Sequence, residues 1–171
     1  MHRRFQEHVE MYQDRIYRLA RYSVGNREEA EDIAQEVLVR LWRHLDQIEP
    51  AGVWPWLVRV TRNASIDALR RRGSYRAVVV PDPEDQSTQW VASPERSPAA
   101  NSEAAEFQRH LEAAVQELAE PYRSIVILRE IEQRKYDEIA VALELPLNTV
   151  KVYLHRGRRM LRAKLREFAE S

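Results

Sequence analysis

Apolar residues recur at helical spacing along the first 76 positions. Phe5, Val9, Tyr12, Ile16 and Leu19 alternate steps of four and three, the stripe of an amphipathic helix. Gly25 closes that helix as a glycine just past the last turn does. Asn26, with Glu29 three residues on, reads as a capping box for a second helix, and Glu28 and Glu29 suit its positive end. Ala30, Ile33, Val37, Leu41 and Leu45 are its buried stripe. The segment DQIEPAGVWP, broken by Pro50, Gly52 and Pro55, predicts a loop. A third helix from Trp56 to Arg72 carries Leu57, Val60, Ala64 and Ala68 on one face and stops at Gly73.

From 77 to 104 the periodicity is lost. Pro81, Pro83, Pro94 and Pro98 stand among acidic and small polar residues, which predicts a linker that is acidic on balance. A stretch of that length is better placed between domains than inside one. Helical patterning returns over 105–171. Leu111, Val115 and Leu118 precede Pro121, which suits the start of the next helix, and Ile125, Val126, Leu128 and Ile131 pack that helix. Ile139, Ala140 and Leu143 then face a core, Glu144-Leu145-Pro146 makes a turn, and a long helix opens at Leu147-Asn148-Thr149, with Asn148 or Thr149 as its cap. Val150, Leu154 and Leu161 return to the core. The expected fold is all-α: two small helical domains, 1–76 and 105–171, joined by a flexible linker at 77–104, with a helix-turn-helix in the second.

Composition agrees: Gly is scarce at 4, and charged residues make up 32%. With 27 basic and 27 acidic residues the chain is neutral, yet Lys151, Arg156, Arg158, Arg159, Arg162, Lys164 and Arg166 share one helix with no carboxylate among them. Cations concentrated behind a helix-turn-helix break make a surface for a polyanion, with DNA first. Asn148, Thr149, Lys151, Val152, Tyr153, His155, Arg156, Arg158 and Arg159 are left toward solvent or DNA. Its cations suit phosphates or guanine edges, and Val152 and Tyr153 suit a thymine methyl. A second surface interleaves Arg59, Arg62, Asn63, Asp67, Arg70 and Arg71 with Trp54 and Trp56, cations for a backbone and indoles for bases; Trp56 is weighted toward the core. The second helix presents Asp32, Gln35, Glu36 and Arg40, a set that by itself reads as a solvated face.

With no Cys, disulfides, thiol catalysis and Cys-ligated zinc are excluded within this chain. His2, His8, His44, His110 and His155 have no ligand spacing, and no phosphate loop or nucleophile motif is present, so neither metal, cofactor nor catalytic residue is expected. No apolar run reaches the length of a membrane span, and the N-terminus does not read as a signal peptide, which predicts a cytoplasmic protein without membrane insertion.

Together, EEAEDIAQEVLVRLWRHLD, WLVRVTRNASIDALRRR and LREIEQRKYDEIAVALELPLNTVKVYLHRGRRMLRAKL resemble the extracytoplasmic-function (ECF) sigma factors of bacterial RNA polymerase. The resemblance spans nearly the whole chain, with both family domains in order. It implies that Asp32, Gln35, Glu36 and Arg40 dock on core polymerase. It implies further that the third helix and the loop before it melt and read the minus-ten element, with Trp54, Arg62, Asn63 and Asp67 on the opened strand and a flipped base caught around Ala51, Gly52 and Val53. Asn148 to Arg159 would read the minus-thirty-five element as duplex, the linker's Asp82, Glu84 and Asp85 would act as nucleic-acid mimics, and an anti-sigma factor is a further implied partner. The chain departs from the family at Gln133-Arg134-Lys135, where a Gly and a Ser or Thr are usual, and at Val152 and Tyr153, where Ser and Arg are common. The competing reading is a stand-alone helix-turn-helix regulator.

Overall fold

A computed structural model describes residues 1–77 and 101–170, with residue 101 described by its backbone alone. Seven α-helices are present among them: α1 (His2–Val24), α2 (Arg27–His44), α3 (Val53–Arg71), α4 (Asn101–Glu117), α5 (Tyr122–Val126), α6 (Tyr136–Leu143) and α7 (Leu147–Glu170). Single turns of 3-10 helix (Leu45–Gln47, Pro50–Gly52) precede α3, and a π turn (Ile127–Ile131) follows α5. No strand forms among the described residues; Ala77 and Glu120 make one isolated bridge. The all-α expectation holds.

Local chemistry sets the boundaries. Gly25 at φ 72° ends α1, its N–H donating to the Arg21 carbonyl. Asn26 caps α2 by accepting from the Glu29 N–H at 2.9 Å, but the Glu29 carboxylate turns instead to Arg72, so only half of the predicted capping box carries weight. α3 begins at Val53, three residues before its predicted start, because the 3-10 turn at Pro50–Gly52 leads straight into it and Pro55 is tolerated in its first turn. α4 begins at Asn101, inside the stretch assigned to the linker; residues 78–100, with Asp82, Glu84 and Asp85, lie outside the described residues. α7 opens after Pro146, with Asn148 and Thr149 inside its first turn, so neither is the cap. Lys135, preceding α6, provides no side-chain cap.

Two apolar cores result. The first joins Ile16, Ala20 and Val24 of α1, the whole predicted stripe of α2, and Val53, Leu57, Ala64 and Leu69 of α3. The second is built on Val115, Leu118, Ile125, Leu128, Ile139, Val150, Leu154 and Leu161, but it also takes in Leu19, Tyr22 and Val58 from α1 and α3. The N-terminal helices are therefore amphipathic twice over, and the second face covers the C-terminal helices. Gly157 lets α7 approach α5: a Cβ there would lie 2.8 Å from Val126 Cγ2.

Candidate nucleic-acid interface

α7 buries Val150, Leu154, Gly157 and Leu161 and turns the opposite side outward. Asn148, Lys151 and Arg159 are exposed; Thr149, Val152, His155 and Arg156 are half-buried. Two predicted readers point elsewhere. Tyr153 packs on the second core, its ring edge-on to Tyr122 at 5.6 Å, so its hydrophobic bulk is used for folding. Arg158 is ion-paired with Glu130 from the π turn.

On α3, Arg59, Asn63, Asp67, Arg70 and Arg71 are exposed, and the Arg70 guanidinium lies 4.6 Å from the Tyr75 ring centroid. The others meet protein. Val53 is fully buried in the first core and cannot catch a base, a correction that follows from its place in the first turn of α3 rather than in a loop. Gly52 is half-buried beside Ile48. Trp54, read as an indole for bases, stacks instead on Tyr12 at 5.4 Å with the Arg134 guanidinium 4.4 Å from its ring centroid. Trp56 packs against the first core, as weighted. Arg62 donates to Ser124 Oγ at 3.1 Å and to the Glu120 carboxylate at 3.3 Å, and Arg59 meets Glu144 at 3.4 Å.

α2 leaves Asp32, Gln35, Glu36 and Arg40 exposed, with Arg40 paired to Glu36 within the helix. Val39 and Trp42 belong to the same outer side, 49% and 40% exposed, with Trp42 edge-on to Phe5. Sequence reasoning missed these two, although their departure from the buried stripe was visible. It also missed Glu112, Glu120, Glu132 and Arg134, whose partners lie in distant helices and leave no periodic trace.

Arg123 is a buried cation held by backbone: it donates to the carbonyls of Leu118, Gln116 and, across the two helix groups, Ser23 at 3.0 Å. Burial lowers its pKa, against the opposing pull of Glu120. Among the described residues no three His, Asp or Glu side chains are grouped to hold a metal, and no helix is long and apolar enough to cross a membrane.

Residues 8–75 match the family model for sigma-70 region 2, and residues 108–161 the model for sigma-70 region 4. The chain is 35% identical to the ECF RNA polymerase sigma factor SigE of Mycolicibacterium smegmatis over 91% of its length, spanning 59% of that relative. It is 32% identical to ECF RNA polymerase sigma factor SigW of Bacillus subtilis, covering 95% of this chain and 89% of SigW. In fold it is similar to CnrH in complex with the cytosolic domain of CnrY (TM-score 0.70, 22% identity, 98% of this chain and 90% of that one). It is also similar to the sigma factor RpoE in complex with the anti-sigma factor NepR from Bartonella quintana (TM-score 0.68, 19% identity, 95% and 96%).

Proposed function

The chain belongs to the ECF sigma factors of bacterial RNA polymerase, and from that membership we propose that it directs core polymerase to a set of promoters in the cytoplasm, without catalysis of its own. The observation that carries the reading is a chain with two basic helices in separate groups, α3 and α7, beside an outward α2 face bearing Asp32, Gln35, Glu36 and Arg40. In this reading 1–76 binds core polymerase and opens the minus-ten element, 77–104 is the linker, and 105–171 reads the minus-thirty-five element.

Each part has a distinct physical task. α2 supplies docking energy, with Val39 and Trp42 adding apolar area to its charged groups. Lys151, Arg156 and Arg159 position α7 on duplex phosphates and guanine edges, and Asn148, Thr149, Val152 and His155 meet the groove beside them. Asn63, Asp67, Arg70 and Arg71 line the path of the opened strand, and Arg59, Arg62 and Trp54 complete it once their protein partners leave. Extruding a base costs a few kcal/mol, which these contacts must offset. A dedicated anti-sigma protein that covers α2 or α7 is a proposed partner, motivated by the company in which RpoE of Bartonella quintana was solved.

Run-off transcription on a library of promoter fragments, with added core polymerase, tests the reading. Transcripts that depend on both proteins are expected. Asp32→Ala and Glu36→Ala should each lower core affinity by roughly tenfold, about 1.4 kcal/mol. Strong specific DNA binding by the chain alone, with no polymerase-dependent transcript, would instead favour the stand-alone regulator.

A further inference from the structure

We propose that α7 carries a further anion site beyond the element it reads: Arg162 and Arg166, near its far end, bind backbone phosphates of the duplex flanking the minus-thirty-five element. The proposal rests on the reading of α7 as the duplex reader. Asn148, Lys151, His155, Arg159, Arg162 and Arg166 follow one another at steps of three and four. At roughly 100° per residue they fall within about 80° of each other, one stripe that is exposed or half-buried along its length. Val150, Leu154 and Leu161 occupy the opposite side. A recognition helix meets base edges with its N-terminal residues, and the major groove is only about 12 Å wide. From Asn148 to Arg159 the stripe already covers roughly 16 Å, and Arg162 and Arg166 stand about 4.5 and 10.5 Å farther on. At that distance the duplex presents its backbone. A guanidinium fork suits phosphate oxygens, which hold the helix in place without reading sequence.

The far end of α7 is held rigidly. Leu161 is buried, and Leu165 and Phe168 pack on the second core. The Phe168 ring stacks on His110 of α4 at 5.2 Å, and Lys164 pairs with Glu117 at 3.0 Å. The cations of α7 therefore divide by face. Arg158 and Lys164 meet Glu130 and Glu117 of the protein, whereas Arg162 and Arg166 share the side of Lys151. Attraction to the helix dipole does not account for them. It acts within the last turn and selects no face, and the last turn of α7 holds no cation; Glu167 and Glu170 stand nearer its end than either arginine.

The test uses holoenzyme formed from core polymerase and the full chain, bound to a promoter fragment recovered by run-off transcription and titrated with salt. Arg162→Gln with Arg166→Gln should make the slope of log affinity against log salt shallower by about two. The fall in affinity between about 50 and 200 mM salt then shrinks roughly tenfold, alike for every promoter. Arg162→Lys with Arg166→Lys keeps the charge and should retain most of the slope. Arg3→Gln with Arg27→Gln removes the same charge from exposed positions outside α7 and should leave the slope unchanged. Neutral methylphosphonate linkages flanking the element on each side should reproduce the loss with the native chain, and add nothing to the loss in the glutamine pair. That arm needs no variant, so it decides the matter even if the glutamine pair unfolds by circular dichroism. Equal slopes for the native chain and the glutamine pair, or full additivity with the methylphosphonates, would overturn the site. So would unchanged DNA binding with weaker core binding, which would give the two arginines to an acidic protein surface. Lys151→Ala separates the levels. If it too leaves promoter binding intact, the reading of α7 fails; if it weakens binding and the glutamine pair does not, only the flanking site fails.

Discussion

Gly25 carries two demands that Gly73 carries singly. Both have positive φ, 72° and 74°, where an L side chain costs about 1–2 kcal/mol. At Gly73 nothing lies within 4 Å of an added Cβ, whereas at Gly25 that atom would lie 2.8 Å from Gln116 Cδ. Gln116 cannot simply swing away, because its amide donates to the Tyr22 carbonyl. Urea denaturation should therefore show Gly25→Ala more destabilising than Gly73→Ala, the latter losing only the conformational part; equal losses would mean that Gln116 yields freely. His8 gives a pH signature at the same scale. Its Nδ1 has no partner, its ring stacks on Tyr12, and burial, with Arg4 second, holds it below the ordinary imidazole range against a weaker pull from Glu7. A histidine whose folded pKa is depressed binds its proton more readily when unfolded, so its contribution falls as pH drops through the ordinary value of 6.5. The melting temperature of the native chain should fall more between pH 7.5 and 5.5 than that of His8→Phe, and parallel curves would dismiss the effect.

At the scale of elements, α7 shows what a helical period can and cannot carry. The stripe Val150, Leu154 and Leu161 was legible because burial of one face repeats with the turn, and all three are buried. The turn was legible too, since Pro146 breaks the pattern where α6 has already ended. The flanks were not. Tyr153 is three residues past Val150, about 60° of rotation from the core stripe, and only the neighbouring Tyr122 decides which way it turns. This separates three substitutions that the sequence would treat alike. Tyr153→Ala should cost roughly 1–3 kcal/mol of stability by loss of packing. Lys151→Ala should leave stability alone, weaken binding of every duplex similarly and reduce the salt slope by about one. Val152 substitutions should shift which base pairs are preferred. Denaturation and salt-titrated anisotropy on the same three variants read all three outcomes, and a change of base preference at Tyr153 without loss of stability would contradict the packing seen here.

For the whole molecule, the contact between the two helix groups is the part the sequence did not disclose. The charges on α3 were plain, but Arg62 and Glu120 stand 58 positions apart and Arg18 and Glu132 stand 114 apart, and no local pattern registers a pairing at that distance. The same is true of Leu19 and Val58, whose spacing fits a helix facing its own neighbours as well as one facing another group. The consequence is thermodynamic. Because one apolar cluster spans α1, α3 and the C-terminal helices, the two groups cannot unfold independently without exposing Leu19, Tyr22 and Val58, so they should melt together. The tryptophans can be made a one-sided probe: Trp42 and Trp56 lie in the N-terminal helices, whereas Trp54, which packs on the second cluster, and Trp90, outside the described residues, can be replaced by Phe. Fluorescence then follows one group, while far-ultraviolet circular dichroism follows both. In the Trp54→Phe and Trp90→Phe double variant the two unfolding curves should coincide, and after the Glu120→Gln and Glu132→Gln changes they should move apart, because the ion pairs at Arg62 and Arg18 are weakened and the shared cluster alone must then hold the groups together. Curves already separate before those changes would mean that the shared cluster does not couple the groups in solution, and that the sequence's picture of two independent domains describes the free chain better.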